Sequence, residues 1–166
     1  NFSTVRSPNP EEKDALNLAI EKAKEIGADI VLGTDPDCDR VGIAVRDGNG
    51  DYILFTGNQT GALLVKFVLD MKKSALNKKS TLVKTIVTSE LGADIARNYG
   101  LNIDETLTGF KYIGDKINQY EKSGEREFVI GYEESYGYLV GTHARDKDGV
   151  VSAMLICQMA SWYKAQ

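Results

Sequence analysis

The sequence predicts an α/β fold: a mainly parallel or mixed sheet with helices on both faces, in three αβα layers. Two observations carry this. From Asn58 onward, stretches with helical apolar spacing alternate with short apolar runs, the order of a parallel sheet joined by covering helices. Helix caps and turn residues stand at the joints, at Gly27, Asp47-Gly48-Asn49-Gly50, Ser89 and Gly100.

The first helix is predicted over Pro10 to Ile26. Asn9 caps it, Pro10 suits its first position, and Glu11 and Glu12 favour its positive end. Ala15, Leu16, Ala19, Ile20, Ala23 and Ile26 recur at helical spacing, and Gly27 supplies a left-handed stop. Asp29 to Leu32 reads as a short buried strand and Val41 to Val45 as the next. The turn at Asp47 to Gly50 returns Tyr52 to Phe55 as a hairpin partner. A helix follows from Asn58 to about Met71, with Leu63, Leu64, Phe67, Val68 and Met71 inward. Strands are predicted at Leu82 to Val87, Leu101 to Leu107 (polar and edge-like) and Glu127 to Gly131. Helices are predicted from Ser89 to Asn98, Lys111 to Lys122 and Val150 to Tyr163.

The net charge of −4 and pI of about 5.1 argue against a basic nucleic-acid footprint, so an anionic substrate must meet local cations. Cys38 and Cys157 lie far apart, without metal spacing or a disulfide framework. No apolar run is long enough to cross a membrane, and no signal peptide is seen, so cytoplasm is the expected compartment. Asn1-Phe2-Ser3 and the end at Gln166 both read as cuts inside a longer chain.

Asp35-Pro36-Asp37-Cys38-Asp39-Arg40 sets three carboxylates at alternate positions between two strands. Anions held about 4–5 Å apart repel by roughly 3–4 kcal/mol per pair at an effective dielectric near 20, so a cation or raised pKa values must accompany them. Oxygen ligands select a hard ion, magnesium first, then manganese or calcium. An EF-hand also starts Asp-x-Asp-x-Asp, but its required Gly and Glu positions are Arg40 and Arg46 here. An acidic surface turn with Asp side chains on backbone amides has the same spacing. Arg40 beside the cluster suits a phosphate or a developing phosphoryl charge, and equally a local salt bridge.

The segment Thr34 to Arg40 resembles the metal loop of the α-D-phosphohexomutases, the phosphoglucomutase/phosphomannomutase family. The resemblance implies that Asp35, Asp37 and Asp39 bind Mg2+ with a phosphoserine from an earlier domain, and that Asp39 and Arg40 face the substrate. Gly131-Tyr132-Glu133-Glu134-Ser135-Tyr136-Gly137 follows a strand. On its own it reads as a tight turn or as a polar pair that can bond sugar hydroxyls. Within the family it resembles the Gly-Glu-Glu-Ser loop, so Glu133 and Ser135 would contact the sugar and Glu134 would be structural. Tyr132 before the first Glu is a departure from members with Gly there. Thr108-Gly109-Phe110-Lys111 resembles a segment beside the substrate, giving Thr108 and Gly109 as binding residues and leaving Lys111 as a surface or helix-start lysine. His143 to Gly149 resembles a segment whose lysine reaches the site. Lys147 is thus the candidate for assisting proton transfer or steadying phosphate charge, against a solvated helix start. His143 reads better as a polar turn residue.

The four segments span nearly the whole chain in the family's order, closest to the phosphoglucomutase branch. The implied division is 1–55 as the end of domain 2, with the metal loop, and 56–166 as domain 3, with the sugar loop. Ser7-Pro8-Asn9-Pro10 is not the family's Ser-His-Asn-Pro phosphoserine loop, since Pro8 replaces histidine. Domains 1 and 4 are absent from this sequence, and the piece is expected to be inactive alone. The implied reaction interconverts hexose 1- and 6-phosphate, glucose first, through a phosphoserine and a bisphosphate, with glucose 1,6-bisphosphate as activator. Phosphomannomutase, phosphopentomutase and phosphoglucosamine mutase stay open, as does a metal-binding α/β module without catalysis. Receiver-type or haloacid-type phosphotransferases fit the third Asp and the following Arg poorly.

Overall fold

Residues 2–166 are described by the computed structural model; Asn1, read above as a chain cut, lies outside them. Helix α1 (Lys13–Ile26) lays Leu16 and Ala23 on Val31 and Ala44. It starts later than Pro10. Asn9 Oδ1 accepts the Glu11 N–H at 3.1 Å and its carbonyl accepts the Glu12 N–H at 3.0 Å, so the cap residue closes a separate turn. Gly27 ends the helix at φ 68°. Ile26, expected inward, is exposed, because the apolar cluster beneath α1 takes Leu16, Ile20 and Ala23 but not the last turn.

Strands β1 (Ile30–Thr34), β2 (Val41–Arg46) and β3 (Tyr52–Phe55) form an antiparallel sheet in that order. The Asp47 turn joins β2 to β3 as expected, with Asp47 Oδ1 accepting the Asn49 and Asp51 N–H groups at 2.9 Å. This sheet departs from the mainly parallel expectation. Its connecting loops are far shorter than the dozen or so residues a parallel crossover needs.

The second sheet is the mixed one. Helix α2 (Gly57–Met71) leads to β4 (Ser80–Thr85), α3 (Glu90–Asn98), β5 (Asn102–Thr106), α4 (Phe110–Ser123), β6 (Glu127–Tyr132), β7 (Tyr138–Val140) and α5 (Gly149–Lys164). The strand order is β5-β4-β6-β7; β5 and β6 run parallel to β4, and β7 returns antiparallel to β6. Helix α4 covers one face through Phe110, Ile113 and Ile117 on Val83, Phe128 and Leu139. The other face packs Leu82, Ile130, Tyr132 and Tyr138 with side chains of α2, α3 and α5. The result is the three-layer arrangement predicted.

Local differences have local causes. Thr56 and Gln59 form a capping box that starts α2 at Gly57. Leu63 and Met71, expected inward, are 36% and 47% exposed on the side of α2 away from its buried stripe. Strand β4 stops at Thr85 because the Thr88 N–H turns back to the Thr85 carbonyl at 3.1 Å, which leaves Ile86 and Val87 outside. Strand β7 has three residues, too few to show alternation, and the sequence did not reveal it. Among the described residues no helix is long and apolar enough to cross a membrane.

The two sheets share one core. Val41 and Ile43 from β2 pack in the same cluster as Leu64, Leu69, Ile130, Ile156 and Met159. The back of the first sheet therefore rests on α5. Ile43→Ala should cost about 2–5 kcal/mol, although it lies outside the second sheet. Urea unfolding followed by Trp162 fluorescence and by far-UV circular dichroism should give coincident transitions in wild type and variant; separate transitions would show that the segments unfold independently.

Candidate active site

The register pairs Thr34 with Val41, so residues 35–40 are the whole link between β1 and β2. Pro36 pre-sets the turn that the Cys38 N–H closes on the Asp35 carbonyl at 3.1 Å, and Cys38 takes a left-handed φ of 58°. That fold-back gathers Asp35, Asp37 and Asp39, one oxygen of each lying within 4.8 Å of the others. Asp35 is buried. Its Oδ1 accepts the Asp39 and Arg40 N–H groups at 3.1 Å, and its Oδ2 accepts Arg40 Nε at 2.7 Å. A carboxylate has about four lone-pair positions, so one remains for a metal. Asp37 stands exposed and Asp39 half-buried beside it. This all-oxygen set fits a hard divalent ion.

The charges are balanced by neighbours. Burial pushes the Asp35 carboxyl up, but the bonds from Arg40 and Asp39 outweigh it and hold it below its ordinary value. Burial and the Asp35 charge raise Asp39, against the pull of Lys147. Arg40 reaches beyond the loop, with Nη1 on Glu11 Oε1 at 2.9 Å and on Asn9 Oδ1 at 3.3 Å. The sequence marked Asn9 and Glu11 only as helix-start residues.

Residues 136–137 and 147–149 touch this loop or its exit into β2, and the 108–111 segment joins them through Glu133 and Lys147, while among the described residues no bond ties Thr108 or Ser135 to it. Glu133 is buried at the end of β6, and its Oε1 accepts the Gly109 N–H at 2.8 Å. Thr108 stands exposed beside Gly109, and Ser135 is half-buried in the loop from β6 to β7. Lys147 Nζ pairs with Asp39 Oδ2 at 2.8 Å and with Asp146 Oδ1 at 3.3 Å, and lies 5.7 Å from the centre of the Phe110 ring. Its stem crosses Gly137 so closely that a Cβ there would collide with Lys147 Cδ. The Gly149 N–H donates to the Cys38 carbonyl at 3.0 Å, where a Cβ on Gly149 would press on the same oxygen. The Val41 N–H donates to the Tyr136 carbonyl at 3.1 Å, next to a bridge between Arg40 and Gly137. Contacts thus join the acidic loop to Lys147, Lys147 to Phe110 beside Gly109, and Gly109 to Glu133.

Burial raises the Glu133 carboxyl, against the Gly109 N–H and the Lys147 charge. Burial would lower Lys147, but Asp39 and Asp146 hold its ammonium above the ordinary value. Lys111 lies over the Tyr112 ring, with Nζ 4.9 Å from its centre, apart from these pairs. His143 bonds Asp148, the N-cap of α5, at 2.8 Å, which is the polar-turn role expected.

Comparison with known proteins gives the family. Residues 56–165 match the model of phosphoglucomutase/phosphomannomutase alpha/beta/alpha domain III, and residues 1–49 match that of domain II. The chain belongs to the phosphoglucomutase/phosphomannomutase family. Among relatives of this family, phosphoglucomutase of Staphylococcus haemolyticus is 40% identical over 164 residues, covering 99% of this chain and 29% of that protein. The Staphylococcus epidermidis phosphoglucomutase is 40% identical over 163 residues, 98% of this chain and 29% of that protein. The chain therefore spans under a third of the relatives it matches.

Solved structures share the fold. A phosphoglucomutase/phosphomannomutase family protein from Burkholderia thailandensis superposes with a TM-score of 0.72 at 18% identity, covering 93% of this chain and 31% of that one. The open form of Paramecium parafusin, a phosphoglucomutase, gives 0.61 at 21% identity, with 95% and 26% covered.

The raised Glu133 yields a stability test. A carboxyl whose folded pKa lies above its unfolded value of about 4.3 stabilises below that pH and loses the contribution as pH rises through the folded pKa. Glu133→Gln keeps an acceptor for Gly109 and removes the buried charge. It should melt higher than wild type at pH 7, with the difference vanishing near pH 4; thermal melts across pH check this.

Proposed function

We propose that this chain is the metal-loop and sugar-loop portion of a longer enzyme that interconverts hexose 1-phosphate and hexose 6-phosphate, with glucose as the first substrate to test. The observation that carries the reading is the ion pair of Lys147 with Asp39, which puts a lysine of the second segment on the acidic loop of the first. The division at 1–55 and 56–166 is part of the proposal. So are a phosphoserine, a phosphate-binding domain and a bisphosphate intermediate supplied by the remaining chain, and a cytoplasmic setting.

In this reading Asp35, Asp37 and Asp39 hold Mg2+, which when bound offsets charge on the transferring phosphoryl group. Arg40 orders the loop through Asp35 and keeps a fixed positive charge next to it. Glu133 and Ser135 hold the sugar by hydroxyls that can be presented in both orientations of the bisphosphate, and Thr108 and Gly109 line the same side. Lys147 donates to a phosphate oxygen or to the reacting hydroxyl. Its carboxylate partners favour the charged form, which supports the phosphate role.

The test is conversion of glucose 1-phosphate to glucose 6-phosphate by the longer protein, with Mg2+ and catalytic glucose 1,6-bisphosphate. Wild type should turn over, and Asp37→Ala should lose more than about 100-fold in rate. Full activity in that variant would remove Asp37 from the metal site. No turnover of glucose, mannose or pentose phosphates would overturn the functional reading.

A further inference from the structure

The Glu133–Ser135 loop is held by a side chain that reaches the end of β4. Glu134 Oε2 accepts the Thr85 hydroxyl at 3.2 Å and the Thr88 hydroxyl at 3.0 Å, and those two hydroxyls lie 2.7 Å apart. Both threonines are buried, so removing the carboxylate leaves the two enclosed hydroxyls only each other, with one of their two protons lacking an acceptor. The turn that carries them is rigid in its own right. The Thr88 N–H closes on the Thr85 carbonyl at 3.1 Å. Lys84, with no exposed surface, bonds the Thr88 carbonyl at 3.0 Å and the Thr85 carbonyl at 3.4 Å. Its ammonium is neutralised by Glu90 at 2.7 Å and Glu105 at 2.8 Å.

The neighbouring residues point elsewhere. The Glu133 carboxylate turns to Gly109, and the backbone of Glu134 lies so near Gly57 that a Cβ there would meet the Glu134 carbonyl. Tyr136 follows with φ 68°, a conformation a bulky residue adopts only where its surroundings impose it. The two adjacent acids therefore divide the labour: one turns to Gly109 and the other grips the end of β4.

We infer that Glu134 is a positioning residue, which by binding Thr85 and Thr88 fixes the loop carrying Glu133 and Ser135 and so sets the affinity for the sugar. The inference rests on the function proposed above for that loop. Contacts to sugar hydroxyls act alike in ground and transition states, so their misplacement raises KM and spares kcat.

The experiment compares wild type, Glu134→Ala, Glu134→Gln, Thr88→Val and the Glu134→Ala/Thr88→Val double variant in the longer protein. Glu134→Ala should raise KM for glucose 1-phosphate on the order of tenfold, with kcat within about threefold of wild type. Glu134→Gln, which keeps one carbonyl acceptor, should recover part of the loss. The double variant should be no worse than Glu134→Ala alone, because both changes break one contact. An unchanged KM in Glu134→Ala, or additive losses in the double variant, overturns the positioning role while active wild type leaves the family reaction standing. Amide hydrogen exchange supplies a readout independent of turnover. Glu134→Ala should speed exchange at residues 133–137 and leave β4 and α4 protected. Equal protection of the loop in wild type and variant overturns the inference even where no sugar phosphate is turned over, and general loss of protection assigns Glu134 to stability alone.

Discussion

The seam where the start of β2 meets the start of β7 holds the rest together. Three backbone contacts define it: Val41 to Tyr136, Gly149 to Cys38, and the Arg40–Gly137 bridge. Each joins the acidic loop to a segment about a hundred residues later in the chain. Backbone groups of the loop and of β2 find partners in the segment before β7 and at the start of α5. The apolar cluster directly beneath, with Val41, Ile43, Tyr138 and Ile156, gives the seam a dry floor.

From that seam the site follows. Two glycines permit it for steric reasons, Gly137 under the Lys147 stem and Gly149 against the Cys38 carbonyl. Because the lysine stem has room, its ammonium reaches Asp39. Because Arg40 and backbone N–H groups give Asp35 three donors, its charged form is favoured although it is buried. Arg40 carries that order outward to Glu11 and Asn9, so the segment before α1 belongs to the same ionic network. Glu133 runs against this pattern. Its buried carboxyl has one backbone donor and a nearby lysine, and burial still prevails.

Much of this was legible in the chain itself. Carboxylates at alternate positions between two strands, the Glu-x-Ser spacing, Ser89 as a cap and the Asp47 turn are local patterns, and local patterns are written in neighbouring residues. The strand–helix alternation after Asn58 likewise sets the three layers, because each periodicity dictates which face is covered. Tertiary structure decided what depends on residues far apart in sequence. The short β7 and the core shared across residue 55 came from packing. So did the aim of the side chains: Lys147 onto Asp39, Glu133 onto Gly109 and Glu134 onto Thr85 and Thr88. Two adjacent glutamates look alike in a sequence. Which turns to Gly109 and which to the end of β4 is set by the partners that the fold brings to each.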